Sequence, residues 1–219
     1  LTTIPYNKRI YTIENGSREL DLIRHDDGKV VDSVINTITR DSENEKQKVD
    51  QIMLLDMALR FNPDIAVVGE MRGAEANAAQ EAARTGIAVL TTIHANSCEA
   101  TYRRMVSLCK RAVDMSDETL MGYVTEAYPI IVFCKQLENK QRRMMEIMEC
   151  EIMPDGTRNY RTLFQYVITD NHMDENGKFA IDGHHERKNS ISNSLAKRLL
   201  ENGMPLEMIE NMKVKEEFC

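Results

Sequence analysis

Three apolar runs in the first half of the chain each lead into a polar side chain that could handle a phosphate or a water. They span residues 8–13, 63–68 and 86–93. Apolar runs without polar alternation are typical of strands buried on both faces of a parallel sheet, and such sheets bind ligands outside the carboxyl ends of their strands. We therefore expect Glu14, Glu70 and His94, which follow the three runs, to meet at one edge of a parallel sheet.

Helices are predicted between the strands. The apolar segment 52–59 should be helical and end before Pro63, because proline disfavours helical geometry in the residue that precedes it. The alanine-rich segment 74–85 has high helix propensity, and Gly86 stands where a left-handed C-terminal cap would fall. Two more helices and an apolar strand follow, over residues 98–111, 117–128 and 129–135. This alternation of strand and helix is typical of a doubly wound α/β sheet.

The segment 24–49, which follows the first strand, is expected to leave the sheet. Asp26-Asp27-Gly28 predicts a hairpin turn, and a polar run over residues 39–48 comes after it. We interpret this segment as a mobile excursion between the first strand and the first helix.

The pattern changes after residue 136. Residues 142–153 and 160–168, joined by a Pro-Asp-Gly turn, predict an antiparallel hairpin, and Asn176-Gly177 predicts another tight turn. An amphipathic helix over residues 191–200 and a final helical piece from Pro205 should complete the chain. We expect a core domain over residues 1–136 and a C-terminal subdomain of hairpin and helices over 137–219, an appendage without chemistry of its own.

Charge and cysteine content exclude some classes of function. The formal net charge is −7, whereas binding of nucleic acid by counterion release needs clustered basic residues, so direct nucleic-acid binding is not expected. The five cysteines, Cys219 among them, form no C-x-x-C pair, which favours reduced thiols in a cytosolic setting over disulfides or structural zinc. The chain has no apolar stretch of membrane-spanning length, and membrane insertion is not expected.

The order of these motifs resembles a known family, the motor ATPases of type II and type IV secretion, with particular similarity to the tight-adherence (Flp) pilus and conjugation branches. Arg9–Glu14 is similar to the acidic box of that family, Pro63–Gly73 to its atypical Walker B motif, and Thr91–Ser97 to its histidine box. Residues 142–147 and 162–166 resemble the carboxyl part of the same motors. The resemblance therefore spans nearly the whole chain.

The resemblance implies a fold, an activity and partners. The fold would be a RecA-like P-loop NTPase core, partial here, with a parallel sheet flanked by helices and a C-terminal hairpin and helical appendage. The intact protein would assemble into a ring, expected to be a hexamer, and hydrolyse Mg-ATP to power pilus assembly, protein secretion or conjugative transfer. It would lie in the cytoplasm, peripheral to the inner face of the bacterial membrane, against platform or channel proteins of that membrane.

Three residues are the main candidates for chemistry. Glu70 could orient the attacking water and bind Mg²⁺, directly or through its hydration shell; the alternative is a carboxylate that stabilises a helix N-terminus. Glu14 would be a second catalytic acid in the Mg²⁺ and water network, or else an ordinary acid at a strand end. His94 could donate to the γ-phosphate, or could simply bind a loop carbonyl.

Four further residues are assigned to nucleotide binding. Arg72 could clamp a phosphate or pair with an acid across a subunit boundary, since a guanidinium suits bidentate recognition. Thr92 belongs to the histidine box, and Arg60 matches a position of the family. In the family, an acid usually comes directly after the residue that corresponds to Glu14, but in this chain Asn15 follows Glu14. Glu19 is the next acid along the chain.

The chain contains no G-x-x-x-x-G-K-[ST] motif. A P-loop supplies backbone N–H groups, a lysine and a hydroxyl for phosphates and Mg²⁺, and in the family it precedes the segment that matches Leu1. We therefore expect this chain to be a piece of a longer motor and to bind ATP weakly or not at all by itself. A non-catalytic scaffold that keeps the ATPase fold is the alternative, and a small-molecule kinase is a third candidate that leaves Thr91–Ser97 unexplained.

Overall fold

A computed structural model describes residues 1, 3–20, 23 and 25–213, and Cys219 lies outside them. The chain divides into two compact units. The first comprises residues 1–94 and 102–128, and the second comprises residues 95–101 and the chain from Pro129 onward. The boundary expected at residue 136 between an ATPase core and a C-terminal subdomain stays a prediction.

The first unit is built on a four-stranded parallel sheet in the order β4-β1-β5-β6. Its strands are β1 (Arg9–Glu14), β4 (Ser33–Ile38), β5 (Ile65–Val68) and β6 (Ala88–Thr91), with a small ribbon of β2 (His25–Asp26) and β3 (Lys29–Val30). Its helices are α1 (Gln51–Phe61), α2 (Glu75–Arg84) and α4 (Asp117–Ala127), while α3 (Cys98–Cys109) runs through both units. A single 3-10 turn covers Glu45–Gln47.

The register of the sheet aligns the strand ends that the sequence singled out. Ile13 lies opposite Val68, and Val68 lies opposite Thr91, with all pairs parallel. Glu14, Glu70 and His94 therefore leave the sheet at the same edge, as predicted. Strands β1 and β5 are buried, with Ile13 and Val68 fully inaccessible to solvent, but β6 is half-exposed, and Leu90 on it is 46% exposed.

Local sequence explains the two helices next to the site. Asp50 caps α1 by accepting a hydrogen bond from the Met53 N–H at 2.9 Å, and the left-handed Asn62 ends it before proline. Helix α2 buries alanines along one side, and these small side chains allow a close approach to its neighbours. Gly86, at φ +103°, turns the chain into β6.

One expectation for the first unit is wrong. Segment 24–49 was expected to leave the sheet, but Ser33–Ile38 forms an edge strand that pairs with the whole of β1. Its polar residues bind β1 directly: the Thr12 hydroxyl donates to Asn36 at 2.9 Å, and the Thr37 hydroxyl donates to the Thr12 carbonyl at 2.7 Å. The predicted hairpin turn at Asp27-Gly28 is confirmed, and both residues have positive φ.

The second unit is an antiparallel sheet in the order β10-β9-β8-β7, followed by two helices. Its elements are β7 (Ile130–Gln136), β8 (Arg142–Ile152), β9 (Arg158–Met173), β10 (Phe179–Arg187), α5 (Asn193–Glu201) and α6 (Leu206–Lys213). The predicted hairpin is confirmed as its β8–β9 pair. Strand β7 was expected to continue the alternation of the first sheet, but it pairs antiparallel with β8. The short apolar run Ile130–Cys134 fits either sheet, so the sequence of this strand did not decide between them.

The core of the second unit lies between its sheet and its helices. Leu163, Ile191, Leu195 and Ile209 form one cluster of buried residues with Ala196. The buried carboxylate of Glu149, on β8, binds the N-cap residue of α5. It accepts hydrogen bonds from the main-chain N–H of Ser192 at 2.9 Å and from the Ser192 hydroxyl. Both oxygens of this carboxylate are thereby satisfied.

The cysteines of the described residues are free thiols. Cys98, Cys109 and Cys150 are buried, and burial raises the pKa of Cys98 to about 12 and the pKa of the other two to about 11. Such thiols are poor nucleophiles and poor metal ligands at neutral pH. None of the described helices combines the length and the apolar character needed to cross a bilayer.

Candidate active site

A pocket of about 320 Å³ opens at the carboxyl ends of the parallel strands. Five of the predicted site residues line it: Glu14, Glu19, Glu70, Arg72 and Thr92. Asn15, Ser17, Leu20 and Gly69 complete the lining. The topology thus brings together side chains from three strand ends that are far apart in the sequence.

Glu14 is the buried acid of this pocket. Its side chain is only 3% exposed, and its Oε1 accepts hydrogen bonds from the main-chain N–H groups of Glu19 at 2.6 Å and Leu20 at 2.8 Å. Gly16, at φ +79°, turns the chain so that these two groups return to the carboxylate. The second oxygen, Oε2, is buried and has no hydrogen-bond partner among the described residues.

That unpartnered oxygen calls for an explanation. Buried polar atoms in native proteins are nearly always paired, and the exceptions often mark a functional site or a bound ion or water. Oε1 is occupied by two main-chain donors, so Oε2 is the carboxylate oxygen of Glu14 that remains without a partner among the described residues. The chemistry of this atom suits a cation or an ordered water.

Glu70 follows β5 and carries two charged neighbours. Its Oε2 pairs with the Arg72 guanidinium, and its Oε1 lies 3.1 Å from Nε2 of His94. The second contact is an ion-pair distance without hydrogen-bond geometry, so Oε1 also lacks a hydrogen-bond partner among the described residues. The hydrogen bond from Arg72 is the main reason that the pKa of Glu70 lies below its ordinary value, against the opposing effect of burial.

Thr92 holds the strand ends together. Its hydroxyl donates to the Gly69 carbonyl at 2.7 Å, and its own carbonyl accepts from the Met71 N–H at 2.9 Å. The Gly69 N–H in turn donates to the Ile13 carbonyl at 2.8 Å. These bonds extend the pairing of the sheet past its last regular residue and fix where Glu70 leaves it.

Two predicted residues lie apart from the others. His94 touches Glu70, but its side chain is 87% exposed and it does not line the pocket. Arg60 lies in the last turn of α1 and lines a separate pocket with Asp56, Met57 and Phe61. The structure thus joins His94 to the site through one contact and leaves Arg60 outside it.

Sequence reasoning missed Ser17 and Leu20 of the lining. The only signal in the sequence is Gly16 directly after the acidic strand end, which permits the reversal that brings residues 17–20 over Glu14. A single glycine in a polar stretch predicts a turn, but it does not predict the direction in which the chain returns.

This fold and this edge of the sheet define an α/β protein of the RecA-like class, as expected from the sequence. Residues 1–215 match the family model described as "Type II/IV secretion system protein". The chain therefore belongs to the type II/IV secretion system protein family, and the resemblance drawn from its motifs is confirmed.

Named relatives support the assignment. The chain is 32% identical over 129 residues to the conjugal transfer protein TrbB of Rhizobium radiobacter, covering 57% of this chain and 38% of TrbB. It is 39% identical over 66 residues to the type IV pilus assembly ATPase PilB of Pseudomonas aeruginosa, covering 30% of this chain and 12% of PilB. The chain spans well under half of either relative.

A solved structure shows the same fold. The VirB11 ATPase from the Brucella suis type IV secretion system, solved in complex with sulphate, superposes with a TM-score of 0.52 at 22% identity. The match covers 67% of this chain and 41% of VirB11. At that identity the similarity concerns the fold alone.

Proposed function

We propose that the protein to which this chain belongs is a motor ATPase that hydrolyses Mg-ATP and uses the energy for pilus assembly, protein secretion or conjugative transfer. One observation carries the proposal: Glu14, whose buried Oε2 is unpartnered among the described residues, lines the same pocket as Glu70 at the carboxyl ends of a parallel sheet. Ligands of open α/β sheets bind at this edge. Membership of the family supplies the class of reaction.

The donor set of the pocket suits Mg²⁺. This ion prefers oxygen ligands, keeps several waters and is usually held by one or two carboxylates together with substrate phosphates. Glu14 and Glu70 would hold it, directly or through its waters. Bound Mg²⁺ would neutralise charge on the phosphates of ATP, which is the chemistry that phosphoryl transfer needs.

The other residues have roles that follow from their positions. Glu70 would accept a hydrogen bond from the attacking water and orient it, because its pKa is lowered and it stays ionised at neutral pH. Arg72 would offer its guanidinium to a phosphate, since it is 69% exposed and can leave Glu70. Thr92 and Glu19 would complete the nucleotide contacts from the lining, and His94 would contact the γ-phosphate from the rim.

The assembly is also part of the proposal. We expect self-association into a ring, of six subunits, and action on platform or channel proteins at the cytoplasmic face of the inner membrane. Membership of the type II/IV secretion system protein family supports that expectation. Arg60, which lies outside the pocket, would act on nucleotide only from a neighbouring subunit. The chain alone, which has no P-loop motif, should bind ATP weakly or not at all.

The test is the variant Glu70→Gln in the full-length protein. Loss of the carboxylate should reduce steady-state ATP hydrolysis by on the order of a hundredfold or more, while ATP affinity measured by calorimetry stays within about threefold of wild type. Glu45→Gln, which changes an exposed acid on the 3-10 turn, is the matched control and should leave both unchanged.

Two results would contradict the proposal. Hydrolysis retained in Glu70→Gln would remove Glu70 from the reaction. A wild-type protein that neither binds nor hydrolyses ATP would favour the alternative, a scaffold subunit that keeps the ATPase fold.

A further inference from the structure

The loop that carries Glu70 and Arg72 is held by side chains that sequence reasoning did not single out. This loop joins β5 to α2 and spans residues 69–74. Gln51 donates to the Glu70 carbonyl at 3.2 Å, and Arg111 donates through Nη1 to the Arg72 carbonyl at 3.0 Å. Both contacts bind main-chain carbonyl groups of the loop.

Glu75 makes the densest contact. Its Oε1 accepts hydrogen bonds from two successive main-chain N–H groups, that of Arg72 at 2.6 Å and that of Gly73 at 2.7 Å. Glu75 is the first residue of α2, where the helix dipole also favours a carboxylate. The side chain therefore folds back over the loop that precedes its own helix.

Gly73 leaves room for the Glu75 carboxylate. A Cβ atom built at Gly73 would lie 2.8 Å from Oε2 of Glu75, inside van der Waals contact. A side chain at this position would require Oε2 of the Glu75 carboxylate to shift. The glycine and the glutamate thus form one unit, and the glycine explains how the carboxylate comes so close.

The main chain of Arg72 is consequently held on both sides, while its side chain extends to Glu70. Its N–H is bound by Glu75 and its carbonyl by Arg111. The guanidinium itself makes the ion pair with Glu70. The position of the main chain at Arg72 therefore determines which atoms its guanidinium can reach.

We propose that Glu75 and Arg111 are positioning residues: they fix the main chain of Arg72 so that its guanidinium meets Glu70 at the edge of the pocket. The effect on hydrolysis rests on the proposed function, but the effect on the Glu70–Arg72 pair does not. A helix-capping role alone would change stability and leave this pair intact. The two interpretations therefore differ in a measurable property of Glu70.

The experiment follows the carboxyl group of Glu70 by ¹³C NMR during a pH titration of this chain. Glu75→Ala should raise the pKa of Glu70 toward its ordinary value, because Arg72, the main cause of the lowering, is released. Glu75→Gln keeps an acceptor oxygen and should restore the wild-type titration. Arg111→Ala, at an exposed position, should shift the pKa in the same direction by a smaller amount.

Ser116→Ala is the matched control. It removes the N-cap of α4, whose hydroxyl accepts from the Thr119 N–H, in the same unit, and among the described residues none of the hydrogen bonds of Ser116 goes to the loop. It should lower stability and leave the titration of Glu70 unchanged. A folded Glu75→Ala variant with an unshifted Glu70 overturns the proposal; if that variant does not fold, an unshifted Glu70 in Arg111→Ala overturns it.

In the full-length protein the same variants separate this inference from the proposed function. Misplacement of a catalytic group by about 1 Å can cost on the order of a hundredfold in rate, so Glu75→Ala should lower kcat by about tenfold to a hundredfold with KM for ATP little changed. If wild type shows no turnover, the proposed function fails, and the NMR titration still decides whether Glu75 and Arg111 position Arg72.

Discussion

Among the residues that the structure describes, each unit buries one glutamate, and the two carboxylates differ in their hydrogen bonds. Glu149 of the second unit is 1% exposed, and both of its oxygens accept hydrogen bonds from Ser192. Glu14 of the first unit is 3% exposed, but only one of its oxygens has a partner among the described residues. A buried carboxylate with both oxygens paired stabilises a fold, whereas one with an unpaired oxygen beside a pocket can bind a cation or an ordered water.

Removing each carboxylate should give the largest contrast between the units. Glu149→Ala leaves the buried N–H and hydroxyl of Ser192 without their charged acceptor, which should cost about 3 kcal/mol of unfolding free energy. Glu14→Ala frees the N–H groups of Glu19 and Leu20, which water can reach, and should cost only about 1 kcal/mol. Urea denaturation followed by circular dichroism measures both.

A finer substitution isolates the unpartnered oxygen. Glu14→Gln retains the acceptor for its two main-chain donors and replaces only Oε2, so stability should change by less than about 0.5 kcal/mol. Equal losses of unfolding free energy in Glu14→Ala and Glu149→Ala, or a large loss in Glu14→Gln, would mean that both carboxylates stabilise the fold to a similar extent.

Two glycines give the second contrast. At Gly183, beside the irregularity in the β9–β10 pairing, an added Cβ would lie 2.5 Å from the Val167 carbonyl and 2.8 Å from the Tyr166 hydroxyl. At Gly69, next to the site, the nearest atom would be the Ile13 carbonyl at 3.4 Å. Gly183→Ala should therefore cost about 2 kcal/mol, because a paired backbone must shift, and Gly69→Ala less than about 1 kcal/mol.

Thermal unfolding of the two alanine variants checks this expectation. Gly183→Ala should lower Tm by several degrees, whereas Gly69→Ala should remain close to wild type. A Gly69→Ala variant that is the less stable of the two would show that the strand end before Glu70 is packed more tightly than the antiparallel sheet.

The sequence predicted most of the site because its signals are local. The apolar runs before Glu14 and Glu70 end abruptly, and parallel pairing then forces their ends to one edge. Strand Ser33–Ile38 was missed because it is half-buried at the edge and mixes polar with apolar residues, a pattern that also fits a loop. Strand Ile130–Gln136 was found but placed in the wrong sheet, because pairing partners are chosen by tertiary contacts.

The contacts that hold the site loop were beyond sequence reasoning for a related reason. Arg111 follows α3, far along the chain from Arg72, and reaches its carbonyl only because the fold brings the two together. Its neighbour in the sequence, Lys110, is also basic but pairs with Asp117, so two adjacent basic residues have different partners. A charge pattern indicates an exposed helix face, but it does not say which residue turns toward a loop.

The smallest expected effect concerns the charge of Glu70. Because its folded pKa is lowered, the Glu70–Arg72 pair contributes stability that is fully present above the ordinary glutamate value of 4.5 and is lost as the pH falls through the folded pKa. Arg72→Gln should therefore be less stable than wild type at pH 7, by an amount that shrinks below pH 4.5. Solvent screening keeps this difference small, since the guanidinium is exposed.

Urea midpoints of wild type and Arg72→Gln at several pH values between 7 and 3 test the sign. Arg72→Lys is the control, because it keeps the positive charge but loses the planar guanidinium and should lie between the two. The opposite trend, with a difference that grows as the pH falls, would mean that Arg72 does not stabilise the fold through ionised Glu70, because protonation of Glu70 removes that pairing.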